Sequence, residues 1–176
     1  ARAKTLSDGP IVLVEHGDNC GAGGNQDVMA TIQEIMRQGL TDVAVSPIWD
    51  PASVSQMIDT GKGNEITLDL GGKTDMPAIN LNGQPLNVTG RIKEITDGRF
   101  TVTGPMMTGM RINLGRTVVL DCGGIEIMVS EERMEPFDLG VFRHAGIEPT
   151  ERKYLVVKSR QHFRAAFEPI AKHIVE

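Results

Sequence analysis

The sequence predicts an α/β fold: a small mixed or parallel sheet with flanking helices and an inserted antiparallel β block at about residues 64–130. Three observations predict it. Apolar strand-like runs alternate with helical periodicity up to about residue 63. Strand-like runs then follow one another directly, and the end of the chain returns to alternation. We interpret residues 1–176 as a single domain with 64–130 as an inserted β subdomain.

The first part of the chain predicts a strand, a helix, a strand and a helix, in that order. An apolar strand at 11–15 is followed by apolar residues at helical spacing over 28–36. The run at 43–46 is the next strand. Asp50 and Pro51 mark the start of the second helix, because Asp is a good N-cap and Pro fits the first helical position.

The middle block predicts hairpins, and the C-terminal part predicts a short helix at 137–144, a strand and a second helix. Asp97-Gly98 and Gly123-Gly124 lie between paired strand-like runs and predict hairpin turns. The run at 154–157 is strand-like, and 161–174 has helical apolar spacing. Pro169 lies inside that last segment and should kink or shorten its helix.

Composition excludes two classes of function. The net charge is −5 and aromatic residues are few, which argues against a nucleic-acid partner. The sequence contains no apolar run of membrane-spanning length and no signal-peptide pattern at its start, so we expect no membrane partner. Cys20 and Cys122 match no metal spacing, and so few cysteines suit a reducing compartment. We therefore expect a cytoplasmic location.

The loop between the first strand and the first helix is rich in glycine and in acidic and amide side chains. One interpretation is an anion cradle, because backbone amides at a helix start attract anions and glycines let a ligand approach. The glycines concerned are Gly21, Gly23 and Gly24. A second interpretation gives the chemistry to Asp18 as a proton acceptor and to Asn19 as a polarising amide. The third is a plain turn. Dinucleotide and Walker patterns do not fit.

A second polar group follows the strand at 154–157. Lys158 and Ser159 end that strand, and His162 and Arg164 come directly after. If the first and last strands run parallel, these residues lie at the same edge of the sheet as the Asp18 loop. Each also has a simpler interpretation. Ser159 would be an N-cap and Lys158 a solvated strand end. His162 would be a helix-surface residue or a hydrogen-bonded partner of the loop, and Arg164 would form a salt bridge.

A metal site within the chain is a weaker alternative. His16 and Asp18 alternate along an extended segment and could meet His162. No recognisable ligand motif connects them, so we assign no metal ligand.

Several segments, in order and along nearly the whole chain, resemble the C-terminal domain of the MlrC (microcystinase C) family of zinc metallopeptidases. Two positions depart from the family's usual loop, with Cys20 in place of Pro and Ala22 in place of Gly. The matching segments are Asp18–Gly23, Ala44–Pro51, Leu68–Asp75, Val88–Met106, Leu114–Ser130, Pro136–Asp138, Gly146-Ile147 and Val156–Ala171.

The resemblance implies a metal-dependent hydrolase that cleaves amide bonds of small or linear peptides. Family members are much longer, and their zinc ligands are expected in a larger N-terminal part. The chain is therefore expected to close the active site against a metal-binding N-terminal domain and to be inactive alone. The expected catalytic residues are Asp18, Asn19 and His162. The expected substrate-binding residues are Gly21, Gly23, Gly24, Lys158, Ser159 and Arg164.

The expected partners are that N-terminal domain and a small peptide or amide substrate, with a homo-oligomer left open. The alternative function is a stand-alone, non-catalytic module that binds a small anion or another protein.

Overall fold

The computed structural model describes residues 2–176, which form strands and short helices. The strands are β1 (Ile11–Val14), β2 (Val43–Trp49), β3 (Glu65–Leu70), β4 (Leu86–Thr96), β5 (Arg99–Thr101), β6 (Arg111–Asn113), β7 (Thr117–Asp121), β8 (Ile125–Ser130), β9 (Tyr154–Val157) and β10 (His173–Val175). The α-helices are α1 (Ala30–Arg37), α2 (Pro51–Thr60), α3 (Gly140–Arg143) and α4 (Arg164–Phe167). Within residues 2–176, no helix has the length and apolar character needed to cross a membrane.

Eight strands form one mixed sheet in the order β10-β1-β9-β2-β8-β7-β4-β3, and β5 pairs with β6 separately. The pairs from β10 to β8 are parallel, while β7, β4 and β3 are added antiparallel. The predicted α/β class is confirmed. The antiparallel strands β7, β4 and β3 extend the same sheet.

The parallel pairing brings the carboxyl ends of β1, β2, β8 and β9 to one edge of the sheet. We term this edge the rim. It comprises the loop residues 15–28, 131–138 and 158–163, together with Asp50 after β2. Because β1 and β9 pair in parallel, the predicted meeting of the Asp18 loop with Lys158 and Ser159 is confirmed.

The sheet separates two apolar layers. Along β9, Tyr154 and Val156 face the layer that contains α1 and α2, while Leu155 and Val157 face the layer with α3 and α4. Phe142 and Phe167 are fully buried in the second layer and meet edge to face, with ring centroids 5.9 Å apart. The rim is therefore held from both faces by packed helices.

The register of β4 shifts between Ile92 and Glu94. Its antiparallel partner β3 packs on α2. The residues after β3 meet Asp50, whose carboxylate accepts hydrogen bonds from the Gly71 amide at 2.9 Å and the Lys73 ammonium at 2.8 Å. Gly71 has a φ of 55°, a conformation that suits glycine.

Several local predictions are confirmed and two are wrong. The predicted helices α1 and α2 are present, and Gly123-Gly124 joins β7 to β8 as a hairpin. Asp97-Gly98 does not form the predicted hairpin, because β5 leaves β4 to pair with β6.

The helix predicted over 161–174 is also wrong, because only four of its residues, Arg164–Phe167, are α-helical. Pro169 lacks a backbone donor, and the following residues 173–175 form β10 beside β1.

We expect Asp50→Ala to lower the free energy of unfolding by about 2–4 kcal/mol. The change removes the N-cap of α2, where Asp50 accepts from the Ser53 amide at 3.0 Å, and leaves Lys73 without its carboxylate. Urea unfolding followed by circular dichroism would measure the loss. Asp59→Ala on the exposed face of the same helix is the control. Equal midpoints for the two variants would contradict this role of Asp50.

Candidate functional site at the rim

Lys158 lies at the centre of the rim with its side chain fully buried. Its ammonium donates to Glu15 Oε2 at 2.9 Å, to Asp18 Oδ2 at 2.8 Å and to the carbonyl of Val28 at 2.7 Å. An ammonium has three donors, so all of them are engaged inside the protein. Lys158 thus fixes the glycine loop to β9, and its charge does not face a ligand as the sequence had suggested.

Asp18 supports the same loop from within. Its carboxylate accepts from the backbone amides of Gln26 at 2.7 Å and Val28 at 2.9 Å as well as from Lys158, and the residue is 2% exposed. A carboxylate with these partners stabilises the turn, and its oxygens are shielded from the open rim. Asp18 therefore supports the loop from beneath the rim, with its carboxylate engaged by protein donors.

Gln26 joins this loop to the segment after β8. Its side-chain amide donates to the carbonyl of Met134 at 2.6 Å and accepts from the Met134 amide at 2.9 Å. Gln26 is fully buried and has a φ of 60°. The paired hydrogen bonds offset the cost of burying the Gln26 amide. They also hold Met134, so that the residue after it, Glu135, lies against the loop.

Glu135 connects three parts of the rim. One carboxylate oxygen, Oε1, accepts from the Asn19 amide at 3.0 Å and from the Ser159 hydroxyl at 2.5 Å. The other, Oε2, lies 2.9 Å from Nδ1 of His162. The Glu135 side chain is 9% exposed, whereas that of His162 is 60% exposed.

The surroundings keep Glu135 ionised. Burial by itself raises the pKa of this carboxyl, but hydrogen bonds from Ser159, His162 and Asn19 outweigh that effect and hold the pKa below its usual range. The rim therefore carries one fixed negative charge next to an exposed imidazole.

A shallow depression of about 330 Å³ opens above this carboxylate, and we term it the rim depression. The lining residues are Asn19, Gly21, Ala22, Glu135, Arg160, Gln161 and His162. A Cβ atom on Gly21 would lie 2.2 Å from Oε2 of Glu135, so only glycine lets the loop approach this carboxylate.

The glycine loop does not form an anion cradle in this structure. The amide of Gly21 donates to Oδ1 of Asn19 at 2.8 Å, and that of Gly24 donates to the Asn19 carbonyl at 2.8 Å. The amide of Gly23 donates to the carbonyl of Cys20 at 3.2 Å. These donors are engaged within the loop, and the nearest ionised group is itself an anion.

Ser159 and Arg164 are also engaged within the protein. The Ser159 hydroxyl accepts from the amide of Phe163 at 3.4 Å and donates to Glu135, so it both caps the turn and orients the carboxylate. Arg164 pairs with Glu176 and, at 3.8 Å, with Glu168. Of the residues expected to bind substrate or act in catalysis, Asn19, Gly21 and His162 are the ones that line the rim depression.

Glu135 is the site residue that sequence reasoning missed. The sequence pattern of β8 predicts a strand of the antiparallel block, and such a strand gives no reason to expect the loop after it at the rim. In the structure β8 pairs in parallel with β2, which brings the acidic segment after it to the rim. Two more glutamates, Glu131 and Glu132, precede Glu135, and this run directly after a buried strand was the available signal.

The described residues do not fit a metal ion on their own. Within residues 2–176, no group of three or more His, Cys, Asp or Glu side chains is arranged to hold one. His16, Asp18 and His162 therefore do not form the alternative metal site, since the carboxylate of Asp18 is bound by Lys158.

The fold and the site together define an α/β domain with a polar rim at the ends of its parallel strands. The chain belongs to the MlrC C-terminus family, whose sequence pattern matches residues 13–176. It is 32% identical over 173 residues to Microcystinase C of Sphingomonas sp., which covers 98% of this chain and 32% of that protein.

A crystal structure of a candidate metallopeptidase from Mesorhizobium sp. BNC1 has the same fold. The TM-score is 0.82 at 21% identity, over 98% of this chain and 34% of that one. The chain thus spans about one third of the length of each of these relatives.

We expect Lys158→Met to lower the free energy of unfolding by about 3–5 kcal/mol, because it leaves Glu15 and Asp18 unpaired beside an apolar side chain. Chemical denaturation would measure the change. Lys172→Met, at an exposed position, is the matched control and should stay within about 0.5 kcal/mol of the wild type. A similarly small effect of Lys158→Met would contradict the central role of this ion pair.

The ionised state of Glu135 predicts a pH dependence of stability. Its pKa is lower in the folded than in the unfolded chain, so its contribution is present at neutral pH and is lost as the pH falls through the folded value. The stability difference between wild type and Glu135→Gln, about 1–2 kcal/mol at pH 7, should shrink steadily below about pH 5. Unfolding curves between pH 7 and 3 would measure it.

Glu132→Gln is the matched control for this pH series, because Glu132 is the exposed neighbour in the same segment. Its difference from the wild type should stay small at every pH. A Glu135→Gln difference that does not change with pH would show that the carboxylate charge plays no part.

Proposed function

We propose that this chain is the C-terminal domain of a metal-dependent peptidase or amidohydrolase, and that its rim depression faces a metal-binding N-terminal domain. The observation that carries the proposal is the exposed His162 imidazole held by a nearly buried, ionised Glu135. Family membership and a relative named Microcystinase C support a hydrolytic role. Because the chain spans about one third of these relatives, the rest of the active site would come from the N-terminal domain.

The metal would be held by that N-terminal domain, and we propose zinc. The location of the metal in the N-terminal domain agrees with the lack of a three-ligand cluster within residues 2–176. It also agrees with the pairing of the rim carboxylates, since Asp18 is bound by Lys158 and Glu135 by three donors.

The groups of this chain would act on the substrate through the rim depression. Hydrolysis of an amide requires a proton on the leaving nitrogen. His162 would accept a proton from the attacking water at Nε2 and return it to that nitrogen as the C–N bond breaks. Asn19 would hold Glu135 in place below it. Exposed Arg160, which lines the same depression, would attract a carboxylate of a small or linear peptide.

A second candidate is a non-catalytic assembly module. Its support is a set of exposed apolar side chains on two loops, which would be accessible to a partner protein. They are Ile79, Leu81, Met107 and Met110. A small-anion-binding module is less well supported, since the loop amides are engaged. An assay of peptide hydrolysis by the two-domain protein distinguishes the two candidates, because only the first predicts activity.

In the two-domain protein, we expect His162→Ala to lower kcat for a linear peptide by about 10²–10⁴-fold with metal content unchanged. Steady-state kinetics and metal analysis by mass spectrometry would measure both. His16→Ala is the control, because His16 is exposed on the same loop but outside the rim depression. A His162→Ala variant with a kcat within about twofold of the wild type would refute the catalytic role of His162, whereas a wild-type two-domain protein that hydrolyses no peptide would favour the assembly module.

A further inference from the structure

We propose that Glu135 is a positioning residue that holds His162 as the Nδ1–H tautomer, with Nε2 directed away from the protein as an acceptor in the rim depression. The catalytic use of Nε2 rests on the proposed function, whereas the tautomer does not.

The carboxylate of Glu135 is fixed before it meets the imidazole. Asn19 and Ser159 both donate to Oε1, from the loop after β1 and the end of β9. Gly21 leaves just enough space beside Oε2 for the group to sit against the loop. The carboxylate therefore cannot rotate freely, and Oε2 remains directed toward His162.

The direction of the hydrogen bond to His162 follows from the charge on Glu135. An ionised carboxylate only accepts hydrogen bonds, so the contact of 2.9 Å between Oε2 and Nδ1 requires a proton on Nδ1. In a neutral imidazole the other nitrogen, Nε2, is then an acceptor. The histidine side chain of an unstructured peptide in water favours the opposite tautomer, with the proton on Nε2, so the protein would reverse the intrinsic preference.

The exposure of His162 makes this tautomer useful. The ring is 60% exposed and lines the rim depression, while the carboxylate beneath it is 9% exposed. One side of the imidazole is thus fixed in the protein and the other is open to a proton donor. A serine and an asparagine hold the carboxylate, and the carboxylate holds the base. The same order of support is found where a histidine must transfer protons in a defined direction.

An ordinary surface ion pair is the competing explanation. Such pairs between exposed groups contribute little and do not fix a ring. Here one partner is nearly buried and has two further donors, which an ordinary surface pair lacks. The two explanations differ in what they predict for the tautomer.

The first test is nitrogen NMR of the ¹⁵N-histidine-labelled protein at a pH where imidazoles are neutral. The chain has four histidines, so the long-range ¹H–¹⁵N spectrum is simple to assign. We expect His162 as the Nδ1–H tautomer in the wild type and a shift toward Nε2–H in Glu135→Ala. Glu132→Ala is the matched control and should leave the spectrum unchanged.

The wild-type spectrum tests the proposal even if a variant fails to fold, because a dominant Nε2–H tautomer of His162 would overturn it. Unchanged signals from His16, His144 and His173 would show that Glu135→Ala is folded. A folded Glu135→Ala protein that keeps the wild-type tautomer would also overturn the proposal.

The second test is kinetic and uses the two-domain protein. Glu135→Ala should lower kcat by about 10–100-fold with KM within about twofold, and it should have no further effect when His162 is already alanine. Additive losses would show that Glu135 acts independently of His162. An active His162→Ala enzyme, together with the expected His162 tautomer in the wild-type protein, would reject the catalytic role proposed for His162 while leaving the positioning by Glu135 intact.

Discussion

The buried ammonium of Lys158 is the group on which the rest of the rim depends. Taking a charge out of water costs several kcal/mol unless partners replace the solvent, and here two carboxylates and a carbonyl do so. The strand that carries Lys158 thereby determines where the loop after β1 can lie. Buried side chains beneath that loop determine its conformation. The glycines of the loop allow its backbone to approach neighbouring groups closely.

The open part of the site is built on this support. Asp18 and Gln26 fix the loop and the segment after β8, and these place Asn19 and Glu135 within hydrogen-bonding distance of each other. His162 is the exposed end of the series. The buried groups are therefore structural and the exposed ring is available for chemistry, a division of labour between residues that look equally reactive in the sequence.

Much of the fold could be predicted from the sequence, because apolar periodicity and the Asp50-Pro51 helix start are local signals. The sequence also indicated that the loops holding Asp18 and Lys158 meet. It could not show that all three donors of the Lys158 ammonium are engaged, since that depends on three partners that are far from Lys158 in the chain. Glu135 was missed because strand direction is a tertiary property: the residues of β8 read as a hairpin strand, and they also pair in parallel with β2.

This double pairing makes β8 the boundary between the two halves of the sheet. It is antiparallel to β7 across the Gly123-Gly124 turn and parallel to β2 on its other side. A slip of one residue in the β7–β8 hairpin would reverse the side-chain alternation along β8 and displace the segment that carries Glu135. The alignment of Glu135 with His162 at the rim is therefore coupled to the length of the Gly123-Gly124 turn at the opposite edge of the sheet. An insertion in that turn would change the site without contacting it.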